Sequence, residues 1–267
     1  MSRPDAYSVY QVFAPQPAQA FEVDRHYLLY AMQGSMRLEA DGQSWSLPPA
    51  RAALIAAGKA ITVSLPHKMT ACSVLFDTGF VPAPPRTLSV FEMSPLAKEL
   101  ILECRSWGAG SGALNDYARQ MFATLAQVAW RLSTKPSPTF MPVGRSKAVI
   151  QAIELTEAKL ADAPQFDDIA RTVAATPRSL ARKFSDELGM TWSQALRRLR
   201  IIKAIEELAQ SDAPATKVAF RVGYNSLSAF NAAFRDLTGQ TPTQYRDSFH
   251  NGAHELDSSP PNENQHR

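Results

Sequence analysis

The sequence predicts an α+β chain of two domains, a half built from short strands and closed by two helices, then an all-α half. Three observations carry this. Up to about residue 80, apolar residues alternate with period 2 between glycine and proline punctuation. After the Pro-rich stretch 81–86 the period changes to 3.6, and the last hundred residues contain one helical pattern twice. The length of 267 residues suits roughly two domains of about 150 each, and 45% apolar residues suffice for full cores, so fibrous classes are excluded. A net charge of +3 is too small to make the whole chain a polyelectrolyte. Any nucleic-acid footprint must be local.

Along the chain, Asp41-Gly42 is a two-residue hairpin signal. Folding about it pairs Leu38 with Trp45 and Met36 with Leu47, which puts these four side chains on one face and Arg37, Glu39, Ser44 and Ser46 on the other. Further runs at 26–32, 52–57, 60–65 and 70–76 are spaced as in a β-sandwich or small barrel. Residues 94–107 and 113–132 then read as two helices. The second carries a stripe of Met121, Phe122, Leu125, Val128, Ala129 and Leu132, suited to a packed helix pair or to a subunit seam. Between them, Gly108, Gly110 and Gly112 follow no strand and read as a helix breaker rather than a phosphate cradle.

Residues 133–145, with three prolines, are the expected linker. The segment 146–248 is helical in period, and 249–267 is polar and expected to be structureless. The expected organisation is therefore 1–132, linker 133–145, 146–248 and a disordered tail 249–267. Cys72 and Cys104 have no metal or disulfide spacing, no apolar signal core opens the chain, and no run approaches the roughly 18 apolar residues of a membrane span. A cytoplasmic protein without membrane association is expected.

The repeat is specific. Ile169, Ala170 and Val173 recur 49 residues later as Val218, Ala219 and Val222, while Leu180, Phe184, Asp186, Gly189 and Thr191 recur 50 residues later as Phe230, Phe234, Asp236, Gly239 and Thr241. Each copy reads as a short helix, a tight turn and a longer helix stopped by glycine, which is helix-turn-helix arithmetic. Thr176 with Pro177 starts the first long helix, and Asn225 or Ser226 caps the second. At 100° per residue, Phe184 and Leu188 share a face with Leu180, opposite Arg178 and Arg182. Phe234 and Leu237 lie with Phe230, opposite Ser228, Ala232 and Arg235, with Asn231 on the flank. Arginines near the start of a helix in the major groove can pair bidentately with guanine O6 and N7. Between the copies, 192–209 is an amphipathic helix that spaces the modules, and its Arg197, Arg198, Arg200 and Lys203 read as a solvated basic face or as phosphate contacts.

The segment VGYNSLSAFNAAFRDLTGQTPTQYR resembles the C-terminal signature of the AraC family of bacterial transcription regulators, through Gly223, Tyr224, Phe230, Phe234, Arg235, Gly239, Pro242, Tyr245 and Arg246. The resemblance covers about 100 residues. It implies a DNA-binding domain with two helix-turn-helix motifs behind a cupin-like sensor and dimerisation domain. The family's base-reading positions fall on Arg178, Ala181 and Arg182, and on Leu227, Ser228, Ala229 and Ala232. Ala181 and Ala232 depart from the basic or amide residues that members often carry there, so the first motif is expected to supply most hydrogen-bonded readout. Helical projection and resemblance together give an expected DNA-binding surface of Arg178, Ser179, Arg182, Lys183, Asn225, Ser226, Leu227, Ser228, Asn231 and Arg235. The family also implies RNA polymerase as a partner, a homodimer placed here through residues 94–132, activation more often than repression, and a small-molecule effector.

The strands at 26–76 are similar to the family's cupin-like β-barrel domain. A metal-dependent cupin needs clustered histidines and a carboxylate, whereas this half offers His26 and His67, 41 residues apart, and Ile61 about where a histidine would often fall after Gly58. No metal or other cofactor is expected, and the two histidines read as strand-end or loop residues. Gly58-Lys59 lacks the rest of a phosphate loop, and neither a nucleophile elbow nor a zinc-protease motif is present. Tyr27, Tyr30, Trp45 and Phe76 could line a ligand pocket or form ordinary core. A DNA-binding regulator is the expected function, not an enzyme. The alternative is a cupin metalloenzyme with an appended DNA-binding module.

Overall fold

Asp41 and Gly42, with φ of 51° and 73°, close the expected hairpin, which pairs Leu38 with Trp45 and Met36 with Leu47. Its strands are β4 (Met36–Ala40) and β5 (Gln43–Leu47) in a computed structural model that describes residues 4–250. Around them lie β1 (Ala6–Phe13), β2 (Gln16–Phe21), β3 (His26–Gln33), β6 (Arg51–Ile55), β7 (Ile61–Leu65), β8 (Met69–Phe76), β9 (Leu88–Glu92) and β10 (Met141–Pro142). They form two five-stranded antiparallel sheets, ordered β1-β8-β3-β6-β9 and β10-β5-β4-β7-β2.

The sheets enclose one core that includes Tyr27, Leu29, Leu38, Trp45, Ile61 and Val90. On the outer side of the first sheet, Leu28, Tyr30, Val74, Phe76 and Phe91 pack against α1 (Pro95–Glu103) and α2 (Asp116–Ser133). Strands buried on both faces lose the period-2 signal, which is why β9 was not anticipated from sequence. The α2 stripe is consumed here: Phe122, Leu125 and Ala129 are buried against that sheet, so the stripe is not a free subunit seam. Tyr27, Tyr30, Trp45 and Phe76 are all buried core. Cys72 and Cys104 are free buried thiols, and burial pushes Cys104 up to about 12.

His26 opens β3, buried, with Nδ1 accepting the Ala57 N–H at 3.1 Å. Burial lowers its pKa below 6.5, outweighing the attraction of Asp77. The unfolded chain therefore takes up this proton at higher pH than the folded one. The stability it contributes is complete above 6.5 and declines as pH falls below that value. Thermal unfolding between pH 7.5 and 5.5 checks this: wild type should lose more stability over that range than His26→Gln, and equal pH slopes would refute it.

The segment 133–145 crosses to the second half packed along its course. Ser137, Thr139 and Met141 are buried, and β10 pairs with β5. Beyond it come α3 (Lys147–Ala158), α4 (Phe166–Thr172), α5 (Pro177–Leu188), α6 (Trp192–Gln210), α7 (Ala215–Arg221), α8 (Leu227–Thr238) and α9 (Pro242–His250). Helix α6 is apolar on two stripes because it serves two cores. Ala195, Leu199 and Ile202 join the core of α3, α4 and α5, while Ile201, Ala204, Ile205 and Leu208 join that of α7, α8 and α9. The tail expected from residue 249 starts too early, since Phe249 is buried in α9. Its remainder, from residue 251, lies outside the described residues. Among the described residues no helix is long and apolar enough to cross a membrane.

Candidate nucleic-acid interface

The two copies fold alike down to their caps. In the first, α4 ends at a left-handed Ala174 (φ 53°), Ala175 N–H closes on Ala170 O at 2.9 Å, and Thr176 Oγ1 caps α5 through Ser179 N–H at 3.2 Å. In the second, Gly223 (φ 87°) takes the place of Ala174, Tyr224 N–H closes on Ala219 O at 2.9 Å, and Ser226 caps α8 through Ala229 N–H. The extra residue of the second copy is Asn225, an insertion in the turn, and Ser226 rather than Asn225 is the cap. Gly189 and Gly239 end the long helices in the left-handed conformation, at φ of 66° and 77°. Thr191 and Thr241 start the next helices with matching bonds to Gln194 and Gln244.

Burial sorts the helix faces. Leu180, Phe184, Phe230 and Phe234 are fully buried, while Arg178, Arg182, Ser228, Ala232 and Arg235 are exposed. Arg178, Arg182 and Arg235 form no ion pair among the described residues. Asn225, Ser226 and Leu227 are exposed at the start of α8, and Asn231 is half-buried on its flank. Two of the expected residues have structural duties. Ser179 donates its hydroxyl back to Thr176 O at 3.0 Å, and Ser226 is committed to capping. Lys183 is half-buried and its charge acts on Glu187, whose carboxylate accepts the Arg145 and Ser146 N–H groups at 2.7 Å.

The basic residues of α6 each have a partner within the chain, while Arg197 and Lys203 remain exposed. Arg197 pairs with Asp236 of α8 at 3.0 Å, and Lys203 pairs with Glu206 at 3.0 Å. Arg198 donates to Phe140 O at 2.7 Å and stacks on the Phe140 ring, while Arg200 donates to Leu160 O at 3.3 Å and stacks over Tyr224. Burial lowers the pKa of Arg198 and Arg200.

The polar face of the β4–β5 hairpin is covered too, and what covers it is the helical half. Arg37 pairs with Glu157 of α3 at 2.5 Å, and Ser46 donates to Glu206 of α6. Ala50 enters the core of α7–α9 and Met141 that of α3–α5. Deepest in this junction, Arg51 is fully buried and held by Glu92 at 3.0 Å and by the Thr139 hydroxyl. Tyr245 of α9 donates to Glu92 Oε2 at 2.5 Å. Burial alone would lower the pKa of Arg51, but Glu92 and Tyr245 reverse that and hold it above its ordinary value. Sequence reasoning missed this cluster because its members, from Arg51 to Tyr245, are scattered along the chain and carry no shared local pattern.

In the first half, a cavity of about 150 Å³ opens between β2 and the barrel, lined by Phe21, Tyr27, Leu29, Met36 and Met69 with the amides of Gln16 and Gln19. Among the described residues no group of three or more His, Cys, Asp or Glu side chains could hold a metal ion.

Comparison with known proteins agrees with this geometry. Residues 169–248 match a family described as a helix-turn-helix domain. The HTH-type transcriptional regulator NimR of Escherichia coli is 26% identical over 220 residues, covering 82% of this chain and 78% of NimR. The ornithine utilization regulator of Pseudomonas aeruginosa is 35% identical over 91 residues, 34% of this chain, and the chain spans only 26% of that protein. Among solved structures, an AraC-type transcriptional regulator from Chromobacterium violaceum matches 40% of this chain and 94% of its own, at 27% identity and a TM-score of 0.37.

Proposed function

We propose that this chain is a DNA-binding transcription regulator of the AraC type that reads its operator by laying α5 and α8 into successive major grooves on one face of a duplex. The observation that carries this is the duplication. Two similarly capped helices each bury one apolar stripe and leave the opposite stripe exposed, its arginines without an ion pair among the described residues. Arg178 and Arg182 are placed to reach guanine edges. Leu227, Ser228, Ala232 and Asn231 offer methyl contacts and a few hydrogen bonds, Asn225 borders the same surface, and Arg235 meets phosphate. Ser179, Ser226 and Lys183 contribute mainly by fixing the helix starts and the local charge.

In this reading 1–132 is the sensor and dimerisation unit, 146–248 the DNA-binding unit, and the protein acts in the cytoplasm as an activator that recruits RNA polymerase. The cavity beside β2 suits a small, largely apolar effector with one group able to bond an amide. With the α2 stripe consumed, dimerisation through 94–132 falls to outward residues such as Leu96 and Tyr117, each 53% exposed. Sedimentation of the full chain should then give a dimer that Leu96→Glu with Tyr117→Glu converts to monomer; an unchanged dimer would move the interface elsewhere.

The direct test incubates purified full-length protein with fragmented genomic DNA in excess non-specific competitor and sequences what is retained. A small set of promoter fragments sharing a two-part motif is expected. Retention no better than bulk DNA, with and without metabolites, would overturn the reading.

A further inference from the structure

The spacing between the recognition helices is not left to α6 alone. Gly223, in the turn of the second module, lies so close to the first that a Cβ there would stand 2.2 Å from Leu160 O, in the 3-10 turn that follows α3, and 2.7 Å from Arg200 Nη2. With φ at 87° this position also requires glycine. The Arg200 guanidinium, half-buried on α6, fills the join: Nη2 donates to Leu160 O at 3.3 Å while the plane stacks 5.6 Å from the centre of the Tyr224 ring, next to Gly223. One side chain thus touches the base of the first module and the turn that launches α8. Arg197, one turn earlier, adds a strut to Asp236 on α8 itself.

We infer that Arg200 is a positioning residue for DNA recognition, a bracket which, with Gly223 and Tyr224, fixes α8 relative to α5 and so sets the half-site spacing that the protein accepts. The inference rests on the two-module reading above. Arg suits the task because its planar fork can stack and donate at once, whereas a lysine keeps the charge without the plane. A rigid join makes binding sensitive to helical phase, because one inserted base pair rotates the second groove away from a helix that cannot follow. A loosened join lets α8 follow, at the cost of ordering it on binding.

The experiment measures affinity of full-length protein for the genome-enriched duplex and for versions with one or two base pairs inserted between half-sites, plus a duplex carrying the first half-site alone. Wild type should lose about tenfold or more per insertion. Arg200→Met should bind the native spacing several-fold more weakly, lose no more than about threefold on insertion, and match wild type on the single half-site. Arg200→Lys should fall between. If Arg200→Met keeps the full insertion penalty, or weakens all duplexes equally, the bracket is refuted. Tyr224→Leu, which removes the ring under Arg200 and its contact with Phe230 but leaves an apolar side chain against the α7–α9 core, gives the same reading should Arg200→Met fail to fold. Failure of the two-module reading looks different, since wild type itself would then show no dependence on spacing.

Discussion

Arg182→Ala is expected to lower affinity for the cognate duplex by about 5- to 150-fold, the range of one good bidentate base contact, while changing affinity for random duplex only a few-fold. The reasoning is local. Arg182 projects from α5 opposite Leu180 and Phe184, is exposed, and has no ion pair among the described residues, so its removal breaks nothing in the fold and stability should stay within about 0.5 kcal/mol. Arg235→Ala is the contrasting variant. It lies in the last turn of α8, where the helix carbonyl end holds a cation, and is read here as a phosphate contact. Its loss should weaken all duplexes alike and reduce the salt dependence by about one counterion. Competition titrations at several salt concentrations separate the two. Equal loss on cognate and random DNA for Arg182→Ala would remove that residue from base readout.

Much of this interface was legible in the sequence because its determinants are local. The cap Thr176, the pair Asn225 or Ser226 from which the structure selects Ser226, the stops Gly189 and Gly239 and the buried stripes follow from spacings within twelve-residue helices, and the hairpin register follows from Asp41-Gly42. What covers a face was not legible. The hairpin register places Arg37, Glu39, Ser44 and Ser46 on one face of β4–β5 without indicating a partner, and Arg37 and Ser46 meet Glu157 and Glu206 of the helical half. The cations of α6 read as a solvated face or as phosphate contacts, yet three of them reach other elements of their own chain and Lys203 its helix neighbour Glu206. Periodicity reports that a face is polar or apolar, and the identity of the partner is a long-range property that no window contains. The double-sided burial of β9, and Phe249 at the end of α9, escaped for the same reason.

The junction between the halves yields the second large effect, from Glu92→Ala. Arg51 on β6 faces Glu92 on β9 in register, and its side chain is wholly buried while that of Glu92 is 35% exposed. Arginine cannot escape an unfavourable site by losing its proton, so without Glu92 the guanidinium remains charged with no carboxylate beside it, left to the oxygens of Thr139 and the Tyr245 hydroxyl. The Ser137 hydroxyl, which donates to Glu92 Oε1 at 2.9 Å, and the Tyr245 hydroxyl lose their acceptor together. Breaking one partner of a buried ion pair costs about 3–5 kcal/mol, and the access of water to Glu92 places this pair near the lower end. Tyr245→Phe, which removes one hydrogen bond and leaves the ion pair intact, should cost only about 1 kcal/mol. Arg51→Met combined with Glu92→Leu should recover most of the loss, because the penalty lies in the stranded charge rather than in the missing attraction. Because Tyr245 of α9 belongs to the core of α7 and α8 and Glu92 to β9 of the strand half, Glu92→Ala should lower the unfolding midpoints of both halves. Differential scanning calorimetry of the three variants decides the matter: a double variant no more stable than Glu92→Ala would show that Arg51 was never stranded.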